Sequence, residues 1–209
     1  MCIKYIMKFS TSTSALLIVG MLVCIYVYHN SEYANLKCII SDVDGNKYCV
    51  RERRKLELAA DRLAYVNQNM QSLVEHCKEK YGTQENVKRL VKNYNPKKIY
   101  ETLPTSKYTA YSQNKGEKMA FCLDTEKNGG KLIDMNTLTF VALHELAHIA
   151  TVSIGHTDEF WSNFKFLLNQ AEKIGVYSPV DYSEKPQRYC GMNIDDNPYY
   201  DKDIKPNRK

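Results

Sequence analysis

The residues of this chain best suited to chemistry are His144, Glu145 and His148, which form an HExxH motif. Residues four apart on an α-helix project from the same face, so the two histidines can bind one Zn²⁺ through ring nitrogens at about 2.0–2.1 Å. His156 follows seven residues after His148, directly behind Gly155, and is the candidate third ligand. Three protein ligands leave one position open for water, which is typical of a catalytic zinc site.

This HExxH-x7-H arrangement predicts a zinc metallopeptidase. Zinc lowers the pKa of its bound water to about 7 and can later polarise the carbonyl of the bond to be cut. Glu145 lies beside the ligand pair, where it can act as the general base towards that water and return the proton to the leaving amine. The expected substrate is a peptide bond in an extended segment of a protein.

The residues around the motif favour a helix with a buried face. Apolar residues precede and follow the histidines, namely Phe140, Val141, Leu143, Ala147 and Val152. Asp134 or Asn136 is a candidate N-cap, and Gly155 is a candidate helix stop. The alternative is a core helix with incidental histidines. Three of the chain's five histidines fall between positions 144 and 156, and this clustering favours the metal site.

The motif region resembles the WLM and SprT-like zinc metallopeptidases. These families share an HExxH helix, a short loop, a third histidine preceded by glycine, and an aromatic residue four positions later. The matching positions are Gly155, His156 and Phe160. Residues 40–195 are also similar to uncharacterised predicted metallopeptidases of large DNA viruses. The resemblance implies a viral protein with a minimal zincin-like α+β domain, in which the active-site helix accompanies a small antiparallel sheet.

The same resemblance implies a strand that binds substrate. In zincin-like enzymes an extended peptide pairs with an edge strand beside the cleft. The candidate strand here consists of Met119, Ala120, Phe121, Cys122 and Leu123.

Two further sets of polar residues are candidates for the site. Asp158 could accept a hydrogen bond from a ligand imidazole, although the charge preference of a helix N-terminus explains it equally well. A tyrosine could stabilise the oxyanion of a tetrahedral intermediate, and the sequence does not choose among the candidates Tyr108, Tyr111, Tyr177, Tyr182 and Tyr189.

The N-terminal segment predicts a membrane anchor. Residues 9–28 contain no charged side chain and match the roughly 20 residues that cross a bilayer core. Lys4 and Lys8 precede this segment, which favours an N-terminus on the cytoplasmic side and residues 30–209 on the opposite side, in an endomembrane or a virion. A cleaved signal peptide and a buried helix are the alternatives. The residues after Tyr28 lack the small-residue pattern of a cleavage site.

The cysteines give information about the compartment. Cys38 and Cys49 flank a hairpin, and a four-residue loop from Asp42 to Gly45 would place them opposite each other, whereas a two-residue Asp-Gly turn would not. An external domain permits disulfides. For Cys77, Cys122 and Cys190 the sequence leaves both free thiols and bridges open.

The remaining residues form one domain by length. The predicted organisation is an anchor at 1–29 and a metallopeptidase-like domain at 30–209, which comprises a hairpin at 37–51, helices at 53–94, a catalytic core at 105–175 and an irregular tail at 176–209. That tail follows the helix that starts after the third ligand, so part of it could lie across the cleft.

The charge distribution does not predict a specific nucleic-acid partner. The net charge is only +5, and glutamates are interspersed among the basic stretches, which is typical of solvated helix faces. The WLM and SprT-like resemblance implies substrates bound to nucleic acid or to ubiquitin-like modifiers, whereas an anchored external domain would meet neither. The predicted partners are therefore the lipid bilayer and a protein or peptide substrate.

Three other functions remain open from the sequence. The chain could be a non-catalytic membrane structural or binding protein whose zincin-like fold is stabilised by zinc. It could be a zinc hydrolase of a non-peptide amide. It could also be a nucleic-acid-associated protease, if the apolar N-terminus is buried in the domain.

Overall fold

A computed structural model describes residues 11–29, 31 and 35–206. The first element is helix α1, Thr11–His29, whose large apolar side chains from Leu16 to Tyr28 are 47% to 72% exposed. Residues 12–29 meet the length and composition of a membrane span, and a signal sequence near an N-terminus meets the same criteria. The helix packs into no core of the described residues, which contradicts the buried-helix alternative. Residues 9 and 10 of the predicted span lie outside the described residues.

The central sheet has five strands: β1 Leu36–Ile40, β2 Lys47–Arg51, β3 Ile99–Glu101, β4 Ala110–Gln113 and β5 Lys118–Phe121. Their order is β1-β2-β3-β5-β4. The hairpin pairs β1–β2 and β4–β5 are antiparallel, whereas β2–β3 and β3–β5 are parallel. The α+β class is confirmed, but the expected antiparallel sheet is mixed. The reason is that two helices connect β2 to β3, and such long crossover connections return the chain in the same direction.

Four helices surround this sheet: α2 Leu56–Tyr81, α3 Glu85–Asn93, α4 Met135–Ala150 and α5 Asp158–Lys173. Helix α2 buries the apolar face predicted by its periodicity, including Leu63, Met70, Leu73 and Cys77. Helix α4 is buried almost all round because α2, α3 and α5 contact it together with β4 and β5. The HExxH helix is therefore the centre of the core.

The first hairpin has the loop that brings its cysteines together. The amide of Ser41 donates to the carbonyl of Asn46, which closes a four-residue loop from Asp42 to Gly45. Cys38 and Cys49 are then direct cross-strand partners and form a disulfide. A second disulfide joins Cys122 to Cys190, while Cys77 is free and buried.

The segment after α5 was expected to be irregular, but it contains a hairpin. Strands β6 Gln187–Tyr189 and β7 Met192–Ile194 pair with each other. The bridge between Cys122 and Cys190 attaches this hairpin to the end of β5. Earlier in the same segment, Tyr177 and Tyr182 are buried against Phe140 of α4, at ring distances of 6.0 and 4.9 Å. The tail is thus part of the core.

Candidate metal centre

The start of α4 orients the HExxH motif. The carboxylate of Asp134 accepts a hydrogen bond from the amide of Thr137 at 2.9 Å, so it caps the helix as predicted. The apolar residues of α4 enter the core, which leaves His144 and His148 one turn apart along the same side. Both histidines are half-buried.

The three predicted ligands converge on one point. The Nε2 atom of His144 lies 3.2 Å from that of His148 and 3.1 Å from that of His156. The three candidate ligand atoms all lie within 4.8 Å of one another. Nitrogens bound to a tetrahedral zinc at 2.0–2.1 Å are separated from each other by about 3.3 Å. The two separations that involve His144 are close to this value, so the three rings could hold a metal ion between them.

One aromatic side chain supports all three rings from behind. Phe160, in the first turn of α5, is fully buried, and its ring lies 4.9, 4.3 and 4.6 Å from those of His144, His148 and His156. Trp161 packs against His156 at 5.5 Å. The aromatic residue found four positions after the third histidine thus fixes ring positions.

The route from α4 to His156 differs from the prediction. Helix α4 ends at Ala150, and Thr151 is already extended, so Gly155 is not the helix stop. Instead Gly155 adopts a left-handed conformation, with φ of 86°, in the loop just before His156. Thr157 then caps α5, because its hydroxyl accepts a hydrogen bond from the amide of Phe160.

Glu159 holds this loop in place. Its carboxylate accepts hydrogen bonds from the amides of Val152 and Ser153 at 3.1 and 3.3 Å, and from the Ser153 hydroxyl at 3.1 Å. Arg89 of α3 donates to Glu159 at 3.1 Å and to the carbonyl of Ala150 at 2.8 Å. The bend before the third histidine is therefore attached to two helices.

Lys115 attaches the same loop to the β4–β5 turn. Its ammonium group donates to the carbonyls of His148, Thr151 and Ser153 at 3.3, 2.8 and 3.0 Å. These carbonyls belong to the end of α4 and the following loop, where backbone acceptors lack helical partners. A cation there also interacts favourably with the helix dipole.

Gly116 allows the β4–β5 turn to approach α4 so closely. Its φ is 111°, and a Cβ atom would lie 2.7 Å from the carbonyl oxygen of Asn93 and 2.8 Å from the Ile149 side chain. Sequence reasoning missed Lys115, Glu159 and Arg89. Each contacts residues that the fold brings near it, and no spacing pattern in the sequence predicts such contacts.

Glu145 lies beneath the ligands and faces β4. It is 5% exposed, and burial raises its pKa to about 7. The backbone amide and hydroxyl of Ser112 in β4 hydrogen-bond to its carboxylate, and both lower that pKa. Burial also lowers the pKa of His144 to about 3, with a further contribution from the charges of His148 and His156. For His148, burial followed by the charges of His156 and Lys115 lowers the pKa to about 4. The imidazoles of His144 and His148 are therefore neutral at physiological pH, which is the metal-binding form.

Two cavities meet at the histidines. A groove of about 970 Å³ runs along β4, past Tyr108, Tyr111 and Ser112, to the loop before His156. A smaller pocket of about 370 Å³ lies on the other side of His144. Its walls are mostly apolar and come from α4, α5 and the tail hairpin, with acidic residues also in the lining: Phe140, Val141, Trp161, Phe164, Met192, Ile194, Asp195 and Asp196.

The predicted substrate strand is not at the edge of the sheet. Residues 118–121 form β5, which has β3 on one side and β4 on the other. The side chains of Met119, Ala120, Phe121, Cys122 and Leu123 are all fully buried. The prediction was wrong because the strand of the hairpin that comes first in the sequence, β4, occupies the outer position. The edge beside Glu145 is β4.

The remaining predicted site residues, five tyrosines and Asp158, divide into those that line the cavities and those that do not. Tyr108 and Tyr111 line the groove, and Tyr189 lines the smaller pocket. Tyr177 and Tyr182 line neither cavity and pack against Phe140. Asp158 is exposed in the first turn of α5, and within the described part of the chain no hydrogen bond joins it to an imidazole.

Comparisons with known proteins point in the same direction as this geometry. The sequence model of the WLM domain matches residues 83–207, which is more than half of the chain. An uncharacterised protein of Acanthamoeba polyphaga mimivirus is 28% identical over 184 residues, covering 86% of this chain and 93% of its own length.

Shorter matches come from two invertebrate iridescent viruses. An uncharacterised protein of Invertebrate iridescent virus 6 is 38% identical over 77 residues, which is 35% of this chain and 41% of the viral protein. One of Invertebrate iridescent virus 3 is 38% identical over 85 residues, or 40% and 50%. No solved structure matches the chain.

Proposed function

This chain belongs to the WLM domain family, and we propose that it is a zinc-dependent metallopeptidase attached to a membrane by α1. One observation carries the proposal. Three histidines bring their ligand nitrogens within 4.8 Å of one another, and the Nε2 atom of His144 lies 3.2 and 3.1 Å from those of His148 and His156, beside a buried glutamate and at the junction of two cavities. A family associated with zinc-dependent proteases supports zinc as the metal.

His144, His148 and His156 would hold the zinc. Imidazole nitrogens suit Zn²⁺, and three protein ligands leave a coordination position open for catalysis. When bound, zinc supplies a Lewis acid that lowers the pKa of water and polarises a carbonyl group. Phe160 keeps the three rings from turning away, since it contacts each of them.

Glu145 moves the proton. Its carboxylate takes a proton from the attacking water, and it returns that proton to the amine nitrogen as the C–N bond breaks. The amide and hydroxyl of Ser112 orient the carboxylate towards the cleft. Burial brings the pKa of Glu145 to about 7, so the group can both accept and release a proton near neutral pH.

The substrate would be an extended protein segment paired with β4. In an antiparallel edge strand alternate residues direct their amide and carbonyl groups outwards, where a peptide can bind. Ser112 and Ala110 are the outward positions of this strand. The amide of Ser112 already donates to Glu145, so a peptide would pair with the carbonyl of Ser112 and with the backbone of Ala110. A bulky apolar side chain of the peptide would then fill the pocket of about 370 Å³ beside His144.

The compartment follows from α1 and the disulfides. With α1 across the bilayer and the N-terminus on the cytoplasmic side, the domain faces the opposite side, in an endomembrane lumen or on a virion. Two disulfides favour an oxidising compartment. A protein or peptide substrate and the bilayer are then its partners.

The test compares metal content and cleavage in the full chain purified in detergent. We expect one equivalent of zinc, lost in His156→Ala but kept in the control His76→Ala, since His76 hydrogen-bonds to Gln170 and packs on the ring of Tyr81, away from the metal centre. Glu145→Gln should keep zinc and reduce cleavage of a labelled unfolded protein about 10²–10⁴-fold.

The same variants separate the alternatives. A protein that binds zinc and cleaves nothing, with or without Glu145, would be a non-catalytic membrane protein stabilised by the metal. A protein that binds zinc and hydrolyses only small amides would be an amidase. A folded protein without zinc would end the enzyme proposal.

A further inference from the structure

A second cleft, which shares no residue with the two cavities at the histidines, is strongly basic. It has a volume of about 1170 Å³ and lies between the start of α2 and the loop after β5. We define this basic cleft by its six cationic side chains, Arg51, Arg53, Arg54, Lys55, Arg62 and Lys131. Only two acidic residues, Glu52 and Asp124, join them in its lining.

Two of the six cations are already neutralised by the fold. Arg53 forms ion pairs with Glu101 and Asp124, and Arg51 lies 3.6 Å from Glu101. Arg51 also donates to the carbonyls of Thr102, Leu103 and Lys127, so its guanidinium holds the walls of the cleft together. These two arginines are structural.

The other four cations form no close ion pair with a carboxylate of the described residues, although the charge of Asp134 acts on Arg62. Within the described residues, no ion pair involves the side chain of Arg54, Lys55, Arg62 or Lys131. Arg54, Lys55 and Lys131 are exposed at the rim. The first turn of α2 starts here, and Lys55, at its N-cap, makes no side-chain capping bond. The cleft therefore has an uncompensated positive charge.

Arg62 lacks hydrogen-bond acceptors inside the cleft. Its Nε and Nη1 atoms are buried and have no hydrogen-bond partner. Buried donors nearly always have an acceptor, and a guanidinium matches the oxygens of a phosphate or carboxylate. The arrangement points to an oxyanion as the ligand.

The position of the cleft identifies the source of that oxyanion. Asn35 lines the cleft, and its side chain donates to the carbonyls of His29 and Ser31 at the end of α1. Six residues of chain reach at most about 20 Å, so a membrane spanned by α1 would have its surface near the cleft. Leu58, which is 41% exposed, provides an apolar side chain in the same lining.

We propose that the basic cleft binds the phosphate of an anionic lipid headgroup and thereby orients the domain on the membrane. This proposal rests on the membrane attachment of α1 but not on peptidase activity. A concave site with four cations outside close ion pairs suits one phosphate group and its neighbours, whereas a nucleic-acid backbone needs a continuous basic track.

The experiment uses the full chain in a neutral detergent and counts bound lipids by native mass spectrometry. The probes are dioctanoyl phosphatidylglycerol, dioctanoyl phosphatidylcholine, inorganic phosphate and a single-stranded oligonucleotide. We expect saturable binding of phosphatidylglycerol and little of phosphatidylcholine. Arg62→Gln should weaken it about tenfold, because a directed charged hydrogen-bond donor is lost.

A double variant guards against misfolding of Arg62→Gln. Arg54→Gln/Lys131→Gln changes only exposed side chains and should weaken binding about 25-fold, at about fivefold per cation. The matched control Lys92→Gln/Lys97→Gln removes the same charge from exposed positions elsewhere and should change binding less than about twofold.

Several results would overturn the proposal. Equal binding of both lipids, or equal effects of the cleft and control variants, would show that the cleft selects no headgroup. Tighter binding of inorganic phosphate or of the oligonucleotide would assign the cleft to a soluble anion or to nucleic acid. Extraction of the chain from membranes by alkaline carbonate would instead refute the attachment by α1, and loss of zinc-dependent cleavage would bear only on the metal centre.

Discussion

Replacement of Lys115 by methionine removes the ammonium group that connects the end of α4 to the loop before His156. Methionine keeps the length and apolar stem of lysine, and neither residue is glycine, so the strain of the left-handed backbone at φ of 56° is the same in both proteins. The change is therefore confined to three hydrogen bonds and one charge.

The magnitude follows from the geometry of these bonds. The two shorter ones, at 2.8 and 3.0 Å, are of ordinary strength, and the one to His148 at 3.3 Å is weak. A hydrogen bond to a charged group contributes about 1.5–3 kcal/mol, and partial exposure of Lys115 reduces this because water can replace it. We expect a loss of about 2 kcal/mol in the free energy of unfolding, or about 4–8 °C in Tm.

Zinc affinity should fall as well. The loop carries His156, and the bond to the His148 carbonyl lies in the last turn that carries the second ligand. Loss of a group that positions zinc ligands typically weakens metal affinity about 10–100-fold, and we expect the lower end because Lys115 acts through the backbone. Competition with a fluorescent chelator measures this affinity, and thermal unfolding with and without zinc measures the coupling.

The control is Lys98→Met. Lys98 lies in an exposed ion pair with Glu117 at 3.7 Å, so its loss should cost less than about 0.5 kcal/mol and leave zinc affinity unchanged. If Lys115→Met matched this control in both stability and zinc affinity, the β4–β5 turn would not position the third ligand, and the reasoning would be refuted.

Three further predictions concern the supports of the site and of the core. Glu159→Gln should weaken zinc binding about tenfold in the same chelator competition, because the amides of Val152 and Ser153 lose a charged acceptor; unchanged affinity would mean that the loop needs no anchor on α5. Removing the Cys122–Cys190 bridge, which closes a loop of 68 residues, should lower the free energy of unfolding by about 4 kcal/mol, against about 3 kcal/mol for Cys38–Cys49, which closes 11. Chemical unfolding of the two double-serine variants measures both losses. The reverse order would contradict an origin in chain entropy. Burial raises the pKa of Tyr48 to about 12, so the unfolded chain releases this proton from about pH 10 and the folded protein only near pH 12. The free energy of unfolding should therefore fall as the pH rises through that window, with a slope about 1.4 kcal/mol per pH unit shallower in Tyr48→Phe. Identical slopes in the two proteins would show that Tyr48 titrates alike in both states.

Features of the site that depend on neighbouring residues could be predicted from the sequence. The four-residue separation of His144 and His148 sets both rings on one side of a helix, and Asp134 was one of the two candidate caps of that helix. The sequence allowed two loop lengths for the first hairpin, and the four-residue loop from Asp42 to Gly45 was one of them. The pairing of Cys38 with Cys49 followed from that loop.

Other features depended on which strands meet, and here the sequence predictions failed. The strand at residues 119–123 was recognised, but nothing in its residues states whether this strand or its hairpin partner pairs with β3. Pairing of β3 with β5 leaves β4 outside, and this single choice moves the open edge from residues 119–123 to residues 110–113. The bridge from Cys122 to Cys190 was equally undecided, because it depends on where the tail returns.

The sequence by itself therefore determined the candidate site, through side-chain types and a helical period that places His144, Glu145 and His148 with no help from distant residues. Only the tertiary structure decided how that chemistry is held and reached. Lys115, Arg89 and Ser112 contact α4, its following loop or Glu145 across 33 to 61 residues of chain. Such contacts arise from packing of whole elements, whose partners are selected by the burial of complete faces and by sheet pairing, and no local pattern encodes that selection.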